Sequence, residues 1–366
     1  MRAHGVALGA LLFALIAVGG CSHAPPTDDL LAVRTLAQQR LGASLPVENT
    51  EPALPAGELD LASALRLAFA RNPELQASLA EIGVARAELA AATAFPNPVL
   101  GLVARLPNQP PSAANIEFDV LGNLLDLLQR PQRIVGQRMA LDETVLAASS
   151  ALLGLAADVE NAYLTAIGDR AKLLTLRKLR LQAREDRDAT ARLRETGTVS
   201  ASSLLRAEAL VAQHQLEVLE AERSYAASRA RLARLLALRE EEAQALRLPR
   251  HLLKLPAAPP LLETPDRLAV ETRPEIAAAR KSLEQRALAQ QVALDWRWLP
   301  SLQGGLAGER TSEGGLALGP RVEIGLPLFD HGNPRLARLG AELLVAQQRL
   351  AGRILDVQAE ARVAAA

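Results

Sequence analysis

Two short stretches of the chain alternate apolar and polar residues, and both lie within sequence of helical character. Residues 116–120 read Ile-Glu-Phe-Asp-Val. Alternation with a period of two places the apolar side chains on one face of a β-strand and the charged ones on the other. We therefore predict a β-hairpin formed by residues 99–106 and 115–124, which flank the Pro-rich segment 107–111.

The second alternating stretch lies about 200 residues later in the chain, a separation too large for a solenoid repeat. Residues 321–326 read Arg-Val-Glu-Ile-Gly-Leu. They predict a second hairpin, formed by residues 302–308 and 318–326 around the polar, Gly-containing segment 309–315. The predicted fold class is mainly α, with two β-hairpins inserted among long helices.

Long helical patterns occupy the sequence between the hairpins. One extends from about residue 132 to residue 194 and contains no proline, and the next extends from about residue 200 to residue 246. Apolar or small residues recur every seven positions in the second helix, which predicts supercoiling against a partner helix. The two rows of this seam are Leu204, Val211, Val218, Tyr225 and Leu232, and Ala207, His214, Ala221, Ser228 and Leu235.

The turn between these helices contains residues suited to helix ends. Gly197 suits the end of the first helix and Ser200 the start of the second, because glycine adopts left-handed backbone geometry and a serine hydroxyl accepts from free N–H groups. We predict an antiparallel coiled-coil hairpin with a functional tip. A plain helical bundle is the alternative.

The same order of motifs occurs twice. Residues 72–75 read Asn-Pro-Glu-Leu and residues 273–276 read Arg-Pro-Glu-Ile, and each motif precedes an Ala-rich helical stretch and a Pro-containing entry to a hairpin. Proline is tolerated in the first turn of a helix, so each motif begins a helix. We predict a first repeat over residues 58–246, a linker over 247–264, and a second, incomplete repeat over 265–366.

The N-terminus has the pattern of a bacterial lipoprotein signal. Arg2 precedes an apolar run over residues 6–18, and Gly19-Gly20-Cys21 follows; Cys21 is the only cysteine of the chain. We predict a signal peptide over residues 1–20, a lipid-anchored segment and linker over 21–57, and a covalent lipid, including palmitate, on Cys21. An ordinary signal peptide with an incidental cysteine is the alternative.

Charge and motif content narrow the functional classes. The chain has 41 basic and 41 acidic side chains and no net charge, which does not suggest binding of nucleic acid. It contains no Gly-rich phosphate loop, zinc signature or nucleophile elbow, and its five histidines are widely scattered. We therefore expect no enzymatic activity, no metal site and no cofactor other than the lipid.

Taken together, the lipoprotein signal, the duplicated helix–hairpin–helix unit and the Gly-Ser tip resemble the TolC-type outer-membrane factors, in particular their lipoprotein subgroup. The matching pieces are residues 61–65, 72–75, 95–98 and 197–200 with Leu204-Leu205. The resemblance implies a homotrimer in the outer membrane that extends into the periplasm. Each protomer would contribute four strands to a twelve-stranded barrel, and the long helices would form a tunnel. Such a trimer would be a passive export duct for small solutes or ions, working with a periplasmic adaptor and an inner-membrane pump.

The resemblance also assigns roles to particular residues. The tip that contacts the adaptor would be Gly197, Thr198, Val199 and Ser200. The residues that face the lumen would be Glu117, Asp119, Arg321 and Glu323. An interfacial aromatic girdle would contain Phe95, Trp296, Trp298 and Phe329, although packing of the two tryptophans between helices is the alternative. Ser202 and Ser203 depart from the Leu and Asp that are common at the family's tip, and residues 127–131 lack the Gly-rich turn that is common there.

The second repeat ends partway along its first long helix. By comparison with the first repeat, we expect about 80 further residues in a complete second unit. A lipid-anchored periplasmic coiled-coil protein without a pore, acting as a structural or adaptor component, is the alternative function, as is a non-functional truncated duct. The cargo, whether metal, drug or polypeptide, stays open.

Overall fold

The computed structural model describes residues 28–42, 52–106, 108, 114–249, 264–310 and 315–365. The predicted signal peptide, Cys21 and most of both hairpin turns lie outside these residues. The elements of the first half are α1 (Asp28–Leu41), α2 (Leu61–Arg71), α3 (Pro73–Thr93), β1 (Val99–Arg105), β2 (Asn115–Asn123), α4 (Leu124–Glu195), α5 (Ala201–Leu235) and α6 (Glu240–Ala245). Those of the second half are α7 (Pro265–Thr272), α8 (Pro274–Asp295), β3 (Leu302–Arg310), β4 (Leu316–Ile324) and α9 (Asn333–Ala365).

The mainly α fold with two inserted hairpins is confirmed. The order helix, helix, strand, strand, helix occurs as α2-α3-β1-β2-α4 and again as α7-α8-β3-β4-α9. The repeat and linker boundaries given above stay predictions, because the compact units of the chain combine segments of both halves. The sheet unit contains Ile82–Thr144 and Ala277–Arg353, and the hairpin unit contains Leu30–Glu81, Val145–Ile276 and Ile354–Ala366.

In the hairpin unit, α4 and α5 form the predicted antiparallel pair. Leu173 of α4 packs with Val218 and Ala221 of α5, and Leu176 and Tyr225 cover this cluster. All ten residues of the predicted heptad seam are buried or half-buried. The heptad prediction is confirmed, because the apolar stripe of α5 faces a partner helix of the same chain.

Helix α4 begins earlier than predicted, at Leu124 instead of about residue 132. Asn123 caps it, since its Oδ1 accepts from the Asp126 N–H at 3.0 Å. Pro131 lies inside the helix, where its missing N–H removes one helical hydrogen bond. The prediction of a turn at residues 127–131 is therefore wrong, because the cap at Asn123 starts the helix ahead of the proline.

Helix α5 ends at Leu235 instead of about residue 246. The N–H of Leu238 donates to the Ala233 carbonyl and that of Ala237 to the Arg234 carbonyl, both at 3.0 Å. This pair of bonds is a Schellman motif, and it places Ala237 at φ 50°. The end was missed because glycine usually occupies that left-handed position and here it is alanine.

A buried asparagine joins the start of α3 to the end of α5. The Oδ1 of Asn72 accepts from the N–H groups of Glu74 and Leu75, both at 3.1 Å, and so caps α3. Its Nδ2 donates to the Leu235 carbonyl at 3.1 Å, which is one of the carbonyls that a helix end leaves without a helical donor. Asn72 is only 6% exposed, so water does not replace these bonds easily.

Replacing Asn72 with alanine tests this joint. Loss of the cap costs about 1 kcal/mol, and a buried carbonyl left without a donor costs about 1–3 kcal/mol. We expect Asn72→Ala to lower the free energy of unfolding by about 2–4 kcal/mol. The measurement is denaturant unfolding of the purified protein, followed by helical circular dichroism.

Arg273→Ala, at the matching motif of the second half, is the control. Arg273 forms partly exposed ion pairs with Glu275 and Glu360, and such pairs contribute up to about 1 kcal/mol. Equal losses in the two variants would contradict the role given to Asn72.

Candidate functional site

The strands form one antiparallel sheet in the order β1-β2-β3-β4. Its register is unbroken: Val103 pairs with Glu117, Glu117 with Glu309, and Glu309 with Ala317. Directly paired residues in neighbouring antiparallel strands point to the same face of a sheet. The register therefore assigns every strand residue to one of two faces.

One face, here the charged face, carries nearly all the polar strand residues. They are Arg105, Asn115, Glu117, Asp119, Asn123, Gln303, Glu309, Arg321 and Glu323. The four residues predicted to face the lumen thus lie together on one face of one sheet. That this face lines a lumen stays a prediction.

The opposite face, here the apolar face, is hydrophobic from β1 to β4. Its large apolar residues are Leu100, Leu102, Ile116, Phe118, Val120, Leu302, Leu306, Leu316, Leu318, Pro320, Val322 and Ile324. Many are open to the surroundings, as shown by Leu102 at 70% and Leu318 at 63% exposure. A contiguous exposed apolar surface of this extent indicates contact with a membrane or with another protein.

Ion pairs connect the strands across the charged face. Arg105 of β1 pairs with Glu117 of β2. Arg321 of β4 lies 3.5 Å from Asp119 of β2 and also pairs with Glu323. The charged face therefore holds ion pairs that water can solvate, whereas the register partners Glu117 and Glu309 carry like charges.

Glu309 is a member of this face that the sequence-based prediction missed. The prediction ended β3 at residue 308 and began β4 at residue 318, but β3 continues to Arg310 and β4 begins at Leu316. Residues 302–310 read Leu-Gln-Gly-Gly-Leu-Ala-Gly-Glu-Arg, and their glycines obscure the alternation that marks a strand. The pairing of Glu117 with Glu309 across β2 and β3 is the signal that only the structure supplies.

Aromatic residues lie next to the strand ends that adjoin the helices, as predicted. Phe95, Trp298 and Phe329 are exposed, the last at 99%, and Trp296 is half-buried. Guanidinium groups stack on two of these rings: Arg130 on Phe95 and Arg297 on Trp298, each 4.5 Å from the ring centroid. For Trp298, exposure argues against the alternative of packing between helices.

The tip of the helical hairpin has the predicted caps. Gly197 has the left-handed backbone angle φ +75°. Its N–H donates to the Arg194 carbonyl, and the Thr198 N–H donates to the Leu193 carbonyl, both at 2.9 Å. The Ser200 hydroxyl accepts from the Ser203 N–H at 3.3 Å. The cap geometry is confirmed, and the contact of Gly197, Thr198, Val199 and Ser200 with an adaptor stays a prediction.

Two further properties of the described residues bear on the site. No group of three or more His, Cys, Asp or Glu side chains there could hold a metal ion. Of the described helices, only α4 has the length and apolar composition to cross a membrane. Part of this helix packs within the chain, where Leu173 contacts Val218 and Ala221 of α5.

No protein-family model and no curated protein matches the chain. Solved structures do match it. The outer-membrane channel OprN is 20% identical with a TM-score of 0.69, and the match covers 87% of this chain and 78% of that one. The outer membrane protein VceC of Vibrio cholerae is 18% identical with a TM-score of 0.67, covering 81% and 75%. A membrane protein from Pseudomonas aeruginosa is 21% identical with a TM-score of 0.64, covering 87% and 80%.

These likenesses establish the fold. The chain has the fold of the TolC-type outer-membrane factors, as the sequence resemblance predicted. Of the three structures, one is of an outer-membrane channel and one of an outer membrane protein.

Alanine substitutions at two glycines of the charged face test how closely the strands pack. A Cβ at Gly305 would collide with the backbone carbonyl of Val120, whereas one at Gly319 meets nothing within 4 Å. We expect Gly305→Ala to disrupt the pairing of β2 with β3 and to lower the yield of folded protein. Gly319→Ala, the matched control, should leave the yield unchanged, and an unchanged yield in both variants would contradict the close approach of the strands at Gly305.

Proposed function

We propose that this chain is the outer-membrane channel subunit of a tripartite efflux system. It would act as a homotrimer with a periplasmic adaptor and an inner-membrane pump. The observation that carries the proposal is the four-stranded sheet with one apolar and one charged face. The TolC-type fold supports it independently.

The edges of the sheet favour assembly of several copies. Within the described chain, β1 and β4 each pair with a single strand. In hydrocarbon, every unpaired backbone N–H or C=O costs several kcal/mol, so only closed barrels of strands span a membrane. Pairing of β4 in one copy with β1 in the next removes all edges, and three copies would give the twelve strands that the resemblance implies.

The two faces suit the two sides of such a barrel. The apolar face would contact lipid and the charged face would line the lumen, in the alternation typical of outer-membrane barrels. Strands β2, β3 and β4 each have nine residues. At about 3.3 Å per residue and a tilt of about 40°, nine residues span about 23 Å, close to the apolar band of about 25 Å in such barrels.

The role in transport is passive. A wall of paired charges keeps the lumen hydrated, so that a solute crosses the apolar layer without leaving water. The driving energy would come from the inner-membrane pump, which the hairpin tip at residues 197–200 would reach through the adaptor. The exposed backbone groups of the tip offer hydrogen bonds to such a partner. The Thr196 and Thr198 hydroxyls hydrogen-bond each other at 2.9 Å, and the Thr196 hydroxyl donates to the Leu193 carbonyl.

A lipid on Cys21 would anchor the mature chain to the outer membrane. The sequence supports this proposal, since the single cysteine follows an apolar run and Gly19-Gly20. We expect Cys21→Ser to abolish incorporation of labelled palmitate, with Ser22→Ala as a control that retains it. Label in the Cys21→Ser variant would exclude Cys21 as the acylated residue.

The proposed function is tested with the full chain purified from outer membranes in detergent. We expect a trimer by native mass spectrometry and ion-conducting events after addition to planar lipid bilayers. A monomer recovered from the soluble periplasmic fraction would contradict the proposal and favour a coiled-coil protein without a pore.

Protease treatment of intact cells separates these two functions further. The proposed barrel would expose the sequence segments 107–113 and 311–314 on the cell surface, whereas a periplasmic coiled-coil protein would be shielded. Cleavage within these two turns supports the barrel, and full protection of a chain that is cut after lysis would contradict it.

A further inference from the structure

We propose that a cavity between α4, α8 and α9 binds the phosphate group of a small hydroxylated solute, and that Arg335 is the main residue that holds it. The cavity lies among the helices next to the sheet and is separate from the charged face of the strands. Its position in a lumen rests on the proposed function, whereas the binding itself is a property of the chain.

The cavity has a volume of about 300 Å³ and a wall rich in amide groups, those of Gln129, Gln132, Gln137 and Gln285. The Oε1 atom of Gln132 and the Nε atom of Arg133 are buried, and within the described part of the chain neither has a hydrogen-bond partner. Such atoms are uncommon in native proteins, and each calls for an explanation such as a bound water, ion or ligand. The cavity therefore has hydrogen-bonding capacity that the protein itself does not use.

The cavity opens on the same side as the charged face of the sheet. A Cβ at Gly304, on the apolar face, would collide with the side chain of Leu124, so the first residue of α4 lies on the apolar side. A helix turns about 100° per residue, which places the exposed Val135 on this side too. Asp126 and Arg133 point the opposite way and line the cavity. In the proposed barrel, that direction is the lumen.

Positive charges outnumber negative ones around the cavity. Arg133 lies 3.8 Å from Asp126, so these two charges compensate each other. Glu342 is shared between two guanidinium groups, those of Arg286 at 3.4 Å and Arg338 at 3.6 Å. These five side chains thus carry one net positive charge.

Arg335 adds a second positive charge. Its side chain lines the cavity, and among the described residues it forms neither an ion pair nor a hydrogen bond. It lies in the first turn of α9, which contains no acidic residue, and the helix dipole makes this end unfavourable for a cation. A residue that breaks a local rule without a structural gain is a candidate for a functional role.

A phosphate group suits this arrangement. The guanidinium groups come from two walls, Arg133 from α4 and Arg335 and Arg338 from α9. The oxygens of a tetrahedral phosphate point in several directions and can accept from both walls, with the paired hydrogen bonds that arginine forms. The amides can donate to and accept from hydroxyl groups of the same solute. The volume equals that of about ten water molecules, which fits a small solute.

The test uses glycerol 3-phosphate as the probe and the purified full chain at low ionic strength, because salt screens the charges. Binding broadens the phosphorus NMR resonance of the probe, and a titration gives the affinity. We expect Arg335→Gln to weaken binding at least about tenfold, the effect of losing one hydrogen bond to a charged group. Its thermal unfolding midpoint should equal or exceed that of the original chain, because the substitution removes a cation from the positive end of α9.

Arg138→Gln is the matched control. Arg138 is exposed and follows Gln137 on α4, on the side of the helix turned away from the cavity. The substitution removes the same charge, and the affinity for glycerol 3-phosphate should equal that of the original chain. Absence of binding to the original chain, or a loss in Arg138→Gln as large as that in Arg335→Gln, would overturn the inference and leave the duct itself standing.

Recordings in planar bilayers separate the site from the duct. Because the cavity faces the lumen of the proposed trimer, glycerol 3-phosphate should reduce the potassium chloride current of the original chain more than that of Arg335→Gln. An equal reduction in both would overturn the position of the site in the lumen. Binding of the probe by a chain that forms no conducting species would contradict the proposed function and leave the site standing.

Discussion

A β-sheet can expose an apolar face to hydrocarbon only if all its backbone N–H and C=O groups are paired. In the described sheet only the two inner strands, β2 and β3, have a neighbouring strand on both sides. Strands β1 and β4 remain at its edges. The hydrophobic side chains make water a poor environment for one face, and the edge groups make lipid a poor environment for a single copy. Closure by further copies satisfies both requirements, which is why the proposed oligomer follows from the sheet.

The opposite face meets a related constraint on charge. Side chains such as Asp119 and Arg321 cannot face lipid, and their pairing across strands lets them lie close together beside water. Glycines allow the close approach of neighbouring strands, most clearly at Gly305 beside the Val120 carbonyl. The same surface thus combines close strand packing with charged groups that suit contact with water.

Packing in the hairpin unit depends on helix pairing and on helix ends. The small residues of the second heptad row let α4 and α5 approach closely, with Val218 and Ala221 against Leu173. Asn72 uses one amide to satisfy the free N–H groups of one helix and a free carbonyl of another. A polar side chain is tolerated in this core because its hydrogen bonds are all directed at groups that would otherwise lack partners.

The sequence predicted those features that depend on periodicity. The alternation at residues 116–120 and the heptads of α5 correctly gave the faces of β2 and of the coiled coil, because period fixes which side chains share a face. Features in which a residue type occupies a position where it is uncommon were missed. They are the helix that continues through Pro131, the Schellman turn at Ala237, and the glycine-rich strand β3, which contains Glu309 near its end. Glu309 could be assigned to the charged face only from the register with Glu117, which is a long-range contact.

The central claim is that the two faces of the sheet contact different solvents. Spin labels placed one at a time along β4 (Leu316–Ile324) report this directly, through their accessibility to oxygen, which concentrates in lipid, and to a water-soluble nickel chelate. The account predicts that the two accessibilities alternate out of phase, with oxygen highest at Leu318 and Val322 and the chelate highest at Arg321 and Glu323. Accessibilities that rise and fall together along the strand would contradict it.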